Sequence, residues 1–219
     1  MCAQYARLAA GVPLCAVARR LRNPGLDRLV NASRTRHGLE LIAERGAMRH
    51  MLGALRAGKS LGILIDQNVL PEHGGEFVEF FGLPVPTTRA VAMLARRLGV
   101  EAACFACRRE GTGFAMEMRA LPKPVPAYGS DIELTQDLLR LNEDLIRTCP
   151  EQYMWFYERW RHLPPDVDAA TRARFPSYAR FHRSRRERAA AAATAATDPQ
   201  AAAPPDRAAA NMPPDSPLP

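Results

Sequence analysis

Apolar positions along the first 163 residues alternate between short continuous runs and helical stripes. Runs at residues 12–18, 39–43 and 61–65 have the length of strands. Between and after them, apolar residues recur three or four positions apart, as on the buried face of a helix. This alternation predicts an α/β fold with a mixed, mostly parallel sheet flanked by helices.

Helix starts are marked by residues that satisfy the free backbone N–H groups. Asn23 followed by Pro24 predicts an N-cap and a first helical position. Ser130 with Glu133 forms a capping-box sequence before a leucine-striped segment. We therefore expect one helix from residue 24 and a long helix from residue 131.

The remaining core segments are predicted from their apolar spacing. The aliphatic run at 61–65 is typical of a parallel strand covered on both faces, and 76–81 is a further strand candidate. Segments 100–108 and 113–121 flank a Gly-Thr-Gly turn, which predicts a hairpin. The aromatic segment 151–160 is expected to be a last helix.

The composition changes near residue 163. Residues 164–219 hold 10 Pro and 17 Ala and few large aliphatic residues, which is too little apolar surface to offset the entropy of ordering. The sequence thus predicts a domain over 1–163 and a disordered Ala/Pro/Arg-rich tail over 164–219. The arginines at 180–188 are either solvated or an anchor to anionic lipid.

Charge and cysteine content exclude several classes of protein. The net charge of +7 permits nucleic-acid binding, but no aromatic-flanked basic stripe supports it, and we expect no nucleic-acid partner. No apolar run reaches the 18 or so residues of a membrane span. Cys104 and Cys107 have a metal-ligand spacing, but on a strand they point to opposite faces, so we interpret them as buried small side chains and expect no metal site.

Polar side chains follow the first predicted strand. Arg19, Arg20 and Arg22 precede the helix that begins at Asn23, and arginines beside a helix N-terminus suit an anion such as phosphate. The alternative is that these arginines are merely solvated.

A second polar group follows the run at 61–65. Asp66, Gln67 and Asn68 occupy the position where open α/β sheets bind ligands. A carboxylate here either orients a substrate hydroxyl or holds an arginine; alternatively, Asp66 only caps a turn.

Four segments in order carry a resemblance to a known family. They are A-G-K-S-L-G-I-L-I-D-Q at 57–67, F-F-G-L-P-V-P-T-T at 80–88, R-R-L-R-N-P-G-L-D at 19–27 and P-E-Q-Y-M-W-F-Y-E-R-W at 150–160. Together they resemble the bacterial lipid A biosynthesis acyltransferases, the lauroyl and myristoyl transferases of the lysophospholipid acyltransferase superfamily. The resemblance covers about residues 1–163.

The resemblance implies a glycerolipid acyltransferase-like fold and a reaction. A fatty acyl group would pass from an acyl carrier protein thioester to a hydroxyl of a lipid A precursor or a related glycolipid or phospholipid. No cofactor is implied, since the acyl carrier protein thioester is a co-substrate. The implied partners are acyl carrier protein, anionic lipid or lipid A precursor, and a membrane surface. The implied location is peripheral, on the cytoplasmic face of the bacterial inner membrane.

Particular residues match positions that the family uses. Arg34 and Asp66 match two positions implicated in activity, and Arg34 is alternatively a scaffold residue that pairs with Asp66. The resemblance also implies four substrate-binding positions: Arg19, Asn23, Asp27 and Gln67.

The family's general base, the His of H-x-x-x-x-D/E, has no counterpart in the predicted core. It would fall immediately before Met1, so the sequence is expected to start late and to be inactive as written. His182 and Glu187 have the spacing but lie in the predicted tail, where nothing would hold them against a substrate. The alternative is a catalytically dead family fragment that binds anionic lipid or acyl carrier protein.

Overall fold

Three short parallel strands and two helices form the first half of the molecule. The computed structural model describes residues 11–44 and 46–181. The strands are β1 (Leu14–Ala18), β2 (Glu40–Ala43) and β3 (Ser60–Gly62), paired in the order β2-β1-β3. The connecting helices are α1 (Pro24–Thr35) and α2 (Ala47–Arg56).

Two antiparallel hairpins and a long helix dominate the second half. The first hairpin joins β4 (Gly75–Phe80) to β5 (Leu83–Thr88), and the second joins β6 (Ala103–Glu110) to β7 (Gly113–Ala120). The helices are α3 (Ala90–Leu98), α4 (Asp131–Thr148) and α5 (Ala169–Ala173). A parallel pair of two-residue strands, β8 (His162–Leu163) and β9 (Arg180–Phe181), follows α4.

The predicted mixed α/β class is confirmed, but the strand pairing is not clearly mostly parallel. Parallel pairs occur in the small sheets β2-β1-β3 and β8-β9, while both longer hairpins are antiparallel. The run at 61–65 is also not a strand covered on both faces: β3 ends at Gly62, and Leu64 is 66% exposed. Within the described residues β3 pairs with β1 alone, so it is an edge strand there, and the chain leaves the sheet early.

Both predicted helix starts are confirmed. The Asn23 side chain accepts hydrogen bonds from the backbone N–H groups of Gly25 and Leu26. Ser130 Oγ accepts from the Glu133 N–H at 3.1 Å. The Glu133 carboxylate accepts from the Gly129 N–H, one residue before the position that a capping box uses.

Strand β5 was not predicted because it contains Pro84 and Pro86. In the register with β4, Pro84 lies opposite Glu79, whose N–H and C=O both bond the Gln136 side chain instead. This position is therefore a non-hydrogen-bonded pair, where the N–H that proline lacks would point away from the partner strand. Proline is tolerated at such sites, and the hairpin closes through Phe81 and Gly82, both at positive φ.

The predicted helix over 151–160 is wrong. A 3₁₀ turn at Pro150–Gln152 is followed by tight turns, in which the N–H groups of Trp155 and Arg159 bond the carbonyls two residues earlier. Three aromatic side chains of this segment, those of Tyr153, Trp155 and Trp160, pack on Phe80 or Phe81 of the β4–β5 hairpin. The rings of Phe80 and Trp160 stack with centroids 5.8 Å apart. Contacts with a distant hairpin therefore override the local helical preference.

Ordered structure continues beyond residue 163. The sequence assigned 164–219 to a disordered tail, yet 164–181 include α5, capped by the Asp168 side chain, and β9, which pairs with β8. The short pairing and the cap supply the order that composition does not predict. Residues 182–219 lie outside the described part of the chain, and the division into a domain and a tail stays a prediction.

Helix α4 forms the centre of the core, whereas α1 lies at the surface. Buried residues of α4, among them Leu134, Leu138 and Leu139, pack toward both hairpins. Helix α1 contains no buried residue. Among the described residues, no helix has the length and apolarity needed to cross a membrane.

Candidate functional site

Asp66 lies four residues beyond Gly62, the last residue of β3, and is half-buried. Burial raises the pKa of its carboxyl group, while a backbone hydrogen bond and the charge of Arg159 act in the opposite direction. Asp66 is thus a carboxylate in a partly dry position with a cation nearby. Such a group can accept a hydrogen bond from a hydroxyl or a guanidinium.

Arg159 is the cation beside Asp66, and it is 1% exposed. Its Nη1 donates to Asn68 Oδ1 at 2.7 Å and to the Pro86 carbonyl at 2.9 Å. Its Nη2 donates to Thr87 Oγ1 at 2.5 Å and to the Ile65 carbonyl at 3.3 Å. Burial lowers the pKa of the guanidinium to about 10, so it remains charged at neutral pH.

Asn68 is held from three directions by the segment that carries Arg159. Its N–H donates to the Tyr157 hydroxyl at 2.9 Å, and its side-chain amide donates to the Glu158 carbonyl at 3.1 Å. Its side-chain oxygen accepts from Arg159. We call these bonds, together with those of Arg159, the 157–159 clamp. The clamp fixes the chain on both sides of Asp66 and Gln67.

The rest of the 150–160 motif joins the clamp to both hairpins. The Gln152 side chain bonds the N–H and the carbonyl of Arg109, and so continues the hydrogen bonding at the edge of β6. Trp160 stacks on Phe80 and its Nε1 donates to the Phe80 carbonyl at 3.3 Å. Tyr153 packs near Phe80 as well, and burial followed by the charge of Asp66 raises its pKa. The motif is therefore a structural hub around Asp66.

The substrate-side segment 19–27 is built mainly by its own residues. Arg19 pairs with Glu44 at 2.7 Å, at the edge where β1 and β2 end. Asn23 caps α1, and Asp27 Oδ1 accepts from the Leu21 N–H at 2.9 Å. Asn23 and Asp27 thus have structural roles that explain their presence without a substrate.

The predicted site residues are not all brought together. Arg34 Nη1 lies 3.5 Å from Asn31 Oδ1 within α1, and Gln67 is exposed. Within residues 11–44 and 46–181, no hydrogen bond or ion pair joins Arg34 or the 19–27 segment to Asp66 or Gln67. The Arg34–Asp66 ion pair considered from the sequence is therefore not formed. His182 and Glu187 lie outside the described residues.

Arg159 was missed as an individual site residue, although it stands inside a quoted motif. One signal was present in the sequence: Arg159 stands among aromatic residues at the end of the predicted core. An arginine that is buried with such residues needs fixed hydrogen-bond partners. Its partners lie 72 to 94 positions earlier, and this separation hides them from local pattern analysis.

Cys104 behaves as a buried small side chain, as predicted. Its thiol donates to the Leu138 carbonyl, and burial raises its pKa to about 12. Cys107 is half-buried.

Comparison with known proteins defines the class. The model of the family described as bacterial lipid A biosynthesis acyltransferase matches residues 7–162, most of the chain and all of the clamp. The chain therefore belongs to this family. It is also similar to the lipid A biosynthesis lauroyltransferase of Escherichia coli (strain K12), with 29% identity over 147 residues. That match covers 66% of this chain and 47% of the relative, so the chain spans about half of the relative's length.

Proposed function

We propose that this chain forms part of an acyltransferase that modifies a lipid A precursor or a related glycolipid or phospholipid. The donor would be an acyl carrier protein thioester, and the acceptor a lipid hydroxyl. The observation that carries this proposal is the 157–159 clamp. It fixes a half-buried carboxylate, Asp66, at the end of a parallel strand, where α/β sheets bind ligands.

In this proposal Asp66 orients the reacting groups and is not the general base. Even with a raised pKa, a carboxylate is far too weak a base to remove a hydroxyl proton by itself. It is suited to accept a hydrogen bond from the acceptor hydroxyl or from an arginine. The proton would pass to the histidine of the family's H-x-x-x-x-D/E motif, which residues 1–163 do not contain.

Arg34 and Gln67 are retained as proposed site residues, with Arg19 on the substrate side and Asn23 and Asp27 shaping the segment that presents it. Among these residues, Gln67 has the best support. Its side chain is exposed, while its neighbours Asp66 and Asn68 are anchored by hydrogen bonds. Arg19 is held by Glu44, so an anionic group of a substrate would have to share or replace that partner.

An acyl-transfer assay tests the proposal. The 219-residue chain would be compared with a version extended upstream to include H-x-x-x-x-D/E, using an acyl carrier protein thioester and a lipid A precursor. We expect transfer only by the extended chain, and at least a hundredfold loss when its histidine is changed to Ala. Transfer by the short chain would overturn the assignment of the base. Absence of transfer by both, with tight binding of acyl carrier protein or anionic lipid, would favour the dead fragment.

The lipid partner is proposed on charge, and the location on family membership. The net charge of +7 and the arginines of 183–188 favour an anionic lipid surface, and the family implies the cytoplasmic face of the inner membrane. Binding to anionic vesicles should weaken between 0.1 M and 1 M salt, as the Debye length falls from about 10 Å to about 3 Å. Salt-independent binding would contradict this electrostatic component.

A further inference from the structure

Three consecutive apolar side chains project from the turn between Tyr153 and Tyr157. Met154 is 56% exposed, Trp155 45% and Phe156 85%. We call this group the 154–156 tip. Single exposed apolar side chains are common on soluble proteins, but three in sequence at one turn, including a Trp and a Phe, are not.

The tip stands on a well-packed base. The ring of Trp155 contacts those of Tyr153 and Phe81, with centroids 4.9 Å and 6.0 Å apart. Across the tip, the Tyr157 N–H donates to the Met154 carbonyl at 3.1 Å. The 157–159 clamp follows directly, so the exposed side chains are presented by a fixed scaffold.

Several polar groups of the tip are already satisfied inside the chain. The Trp155 indole N–H donates to the Pro150 carbonyl at 2.7 Å, and its backbone N–H donates to the Tyr153 carbonyl at 2.9 Å. A polar group that enters an apolar medium without a partner costs several kcal/mol on hydrocarbon scales. These bonds remove that cost for the two N–H donors of Trp155, the residue at the centre of the tip.

Arginines lie around the tip. Arg161 lines a cavity of about 460 Å³ together with Met154 and Phe156, and it pairs with Glu158 at 3.2 Å. Arg147 lies 5.0 Å from the ring of Phe81, on which Trp155 packs. Long cationic side chains beside aromatic ones are typical of surfaces at a lipid interface, where the stems cover apolar surface and the charges reach the headgroups.

We propose that the 154–156 tip inserts into the boundary between headgroups and acyl chains of a lipid bilayer. The tip offers roughly 400 Å² of aromatic and thioether surface, about half of what each partner contributes to a standard protein interface. A bilayer needs no complementary groove for a projecting tip. This docking does not depend on turnover, so it can fail or succeed separately from the proposed function.

Partition onto neutral phosphatidylcholine vesicles tests the proposal, because the arginines of the C-terminal segment gain little from an uncharged surface. With the full 219-residue chain, Phe156→Ala should weaken partition about tenfold, the ratio for one buried aromatic side chain. The matched control is Met118→Ala, which removes a side chain 65% exposed on β7 and should change partition less than twofold. Equal partition of wild type and Phe156→Ala, or equal loss in both variants, would overturn the proposal.

Fluorescence gives a second measurement of the same contact. Vesicles with brominated acyl chains should quench the tryptophan emission of the wild type, and Trp155→Phe should remove the quenched component. Quenching that persists in Trp155→Phe would place another part of the chain in the membrane and contradict the proposal. So would a dimer, formed without vesicles, that Phe156→Ala dissociates, because the tip would then bind a second copy.

Discussion

The segments around Asp66 and Arg19 both follow parallel strands, but they are held in different ways. Asp66 lies between residues bonded by side chains from about ninety positions later, with Arg159 almost fully buried. Arg19 is exposed and pairs with Glu44, and Asn23 caps its own helix. The first segment therefore depends on the folding of the whole domain, and the second depends mainly on local chemistry.

The comparison also separates two kinds of motif residue. Around Asp66 the motif residues hold a half-buried carboxylate, whose surroundings include a backbone hydrogen bond and the charge of Arg159. In 19–27, the side chains of Asn23 and Asp27 accept hydrogen bonds from the backbone of the turn and the helix start. A motif match alone does not distinguish a residue that contacts substrate from one that shapes the loop.

Loss of the clamp should have the largest effect on the stability of the fold. Arg159→Ala should lower the free energy of unfolding by about 3–5 kcal/mol, because buried acceptors in two segments, 65–68 and 86–87, lose a charged donor. Urea unfolding measures this. Arg161→Ala is the matched control, two positions away, with a side chain 59% exposed and an ion pair to Glu158; it should cost about 1 kcal/mol or less. Similar losses in the two variants would show that the buried clamp contributes no more to stability than an exposed ion pair.

A glycine in each half sharpens the comparison, with opposite expected signs. A Cβ on Gly75 would lie 1.7 Å from the Val69 carbonyl oxygen, so Gly75→Ala must push the 66–70 loop off β4. We expect a loss of about 1–3 kcal/mol. On α2, a Cβ at Gly53 would meet no atom within 4 Å in the described residues, and Gly53→Ala should stabilise by about 0.5–1 kcal/mol. Thermal unfolding that gave both variants the same sign would contradict this account.

The cap of α1 should contribute less, and in a predictable way. Asn23→Ala is expected to cost about 1 kcal/mol, since the N–H groups of Gly25 and Leu26 lose their acceptor. Asn23→Asp keeps an acceptor, and its free energy of unfolding should lie within a few tenths of a kcal/mol of the wild-type value. Chemical denaturation of the three proteins compares them; a large loss in Asn23→Asp would require a role of the amide beyond capping.

Asp66 gives the smallest effect and a pH signature. Its raised pKa means that the folded chain binds the proton more tightly than the unfolded chain. Stability is therefore favoured when the group is protonated and falls as pH rises from the unfolded pKa to the raised folded value. Asp66→Asn should accordingly be more stable than the wild type at neutral pH, and the gain should vanish below the unfolded pKa. A difference that does not vary with pH would show that burial of the charge is not its cause.

Local chemistry predicted much of this fold, because caps and turns are written in neighbouring residues. Asn23 and Ser130 gave both helix starts, and the Gly-Thr-Gly turn gave the β6–β7 hairpin. Strand β5 was missed, since proline is acceptable only when its nitrogen faces away from the partner strand, and that depends on register. Segment 151–160 was misassigned because three of its aromatic residues pack on Phe80 and Phe81, more than seventy residues earlier.

The candidate site was predicted in part. The sequence identified Asp66 as a candidate because it follows a predicted parallel strand, where α/β sheets bind ligands. The clamp could not be predicted, because Ile65, Asn68 and Pro86 are far from Arg159 in the sequence and only the tertiary fold brings them beside it. Nor could the sequence show that the Arg34 side chain lies beside Asn31 and forms no ion pair with Asp66 in the described structure.

Kinetics of Asp66→Asn and Asn23→Asp, in the chain extended to include the family's histidine motif, test the central claim most directly. Both variants should fold, so a difference in acyl transfer reports on the site. We predict that Asp66→Asn loses at least tenfold in kcat/KM, because the group that orients the reacting atoms loses its charge. Asn23→Asp should stay within about twofold of the wild type, because it keeps the cap. The reverse result, with transfer preserved in Asp66→Asn and lost in Asn23→Asp, would contradict the account.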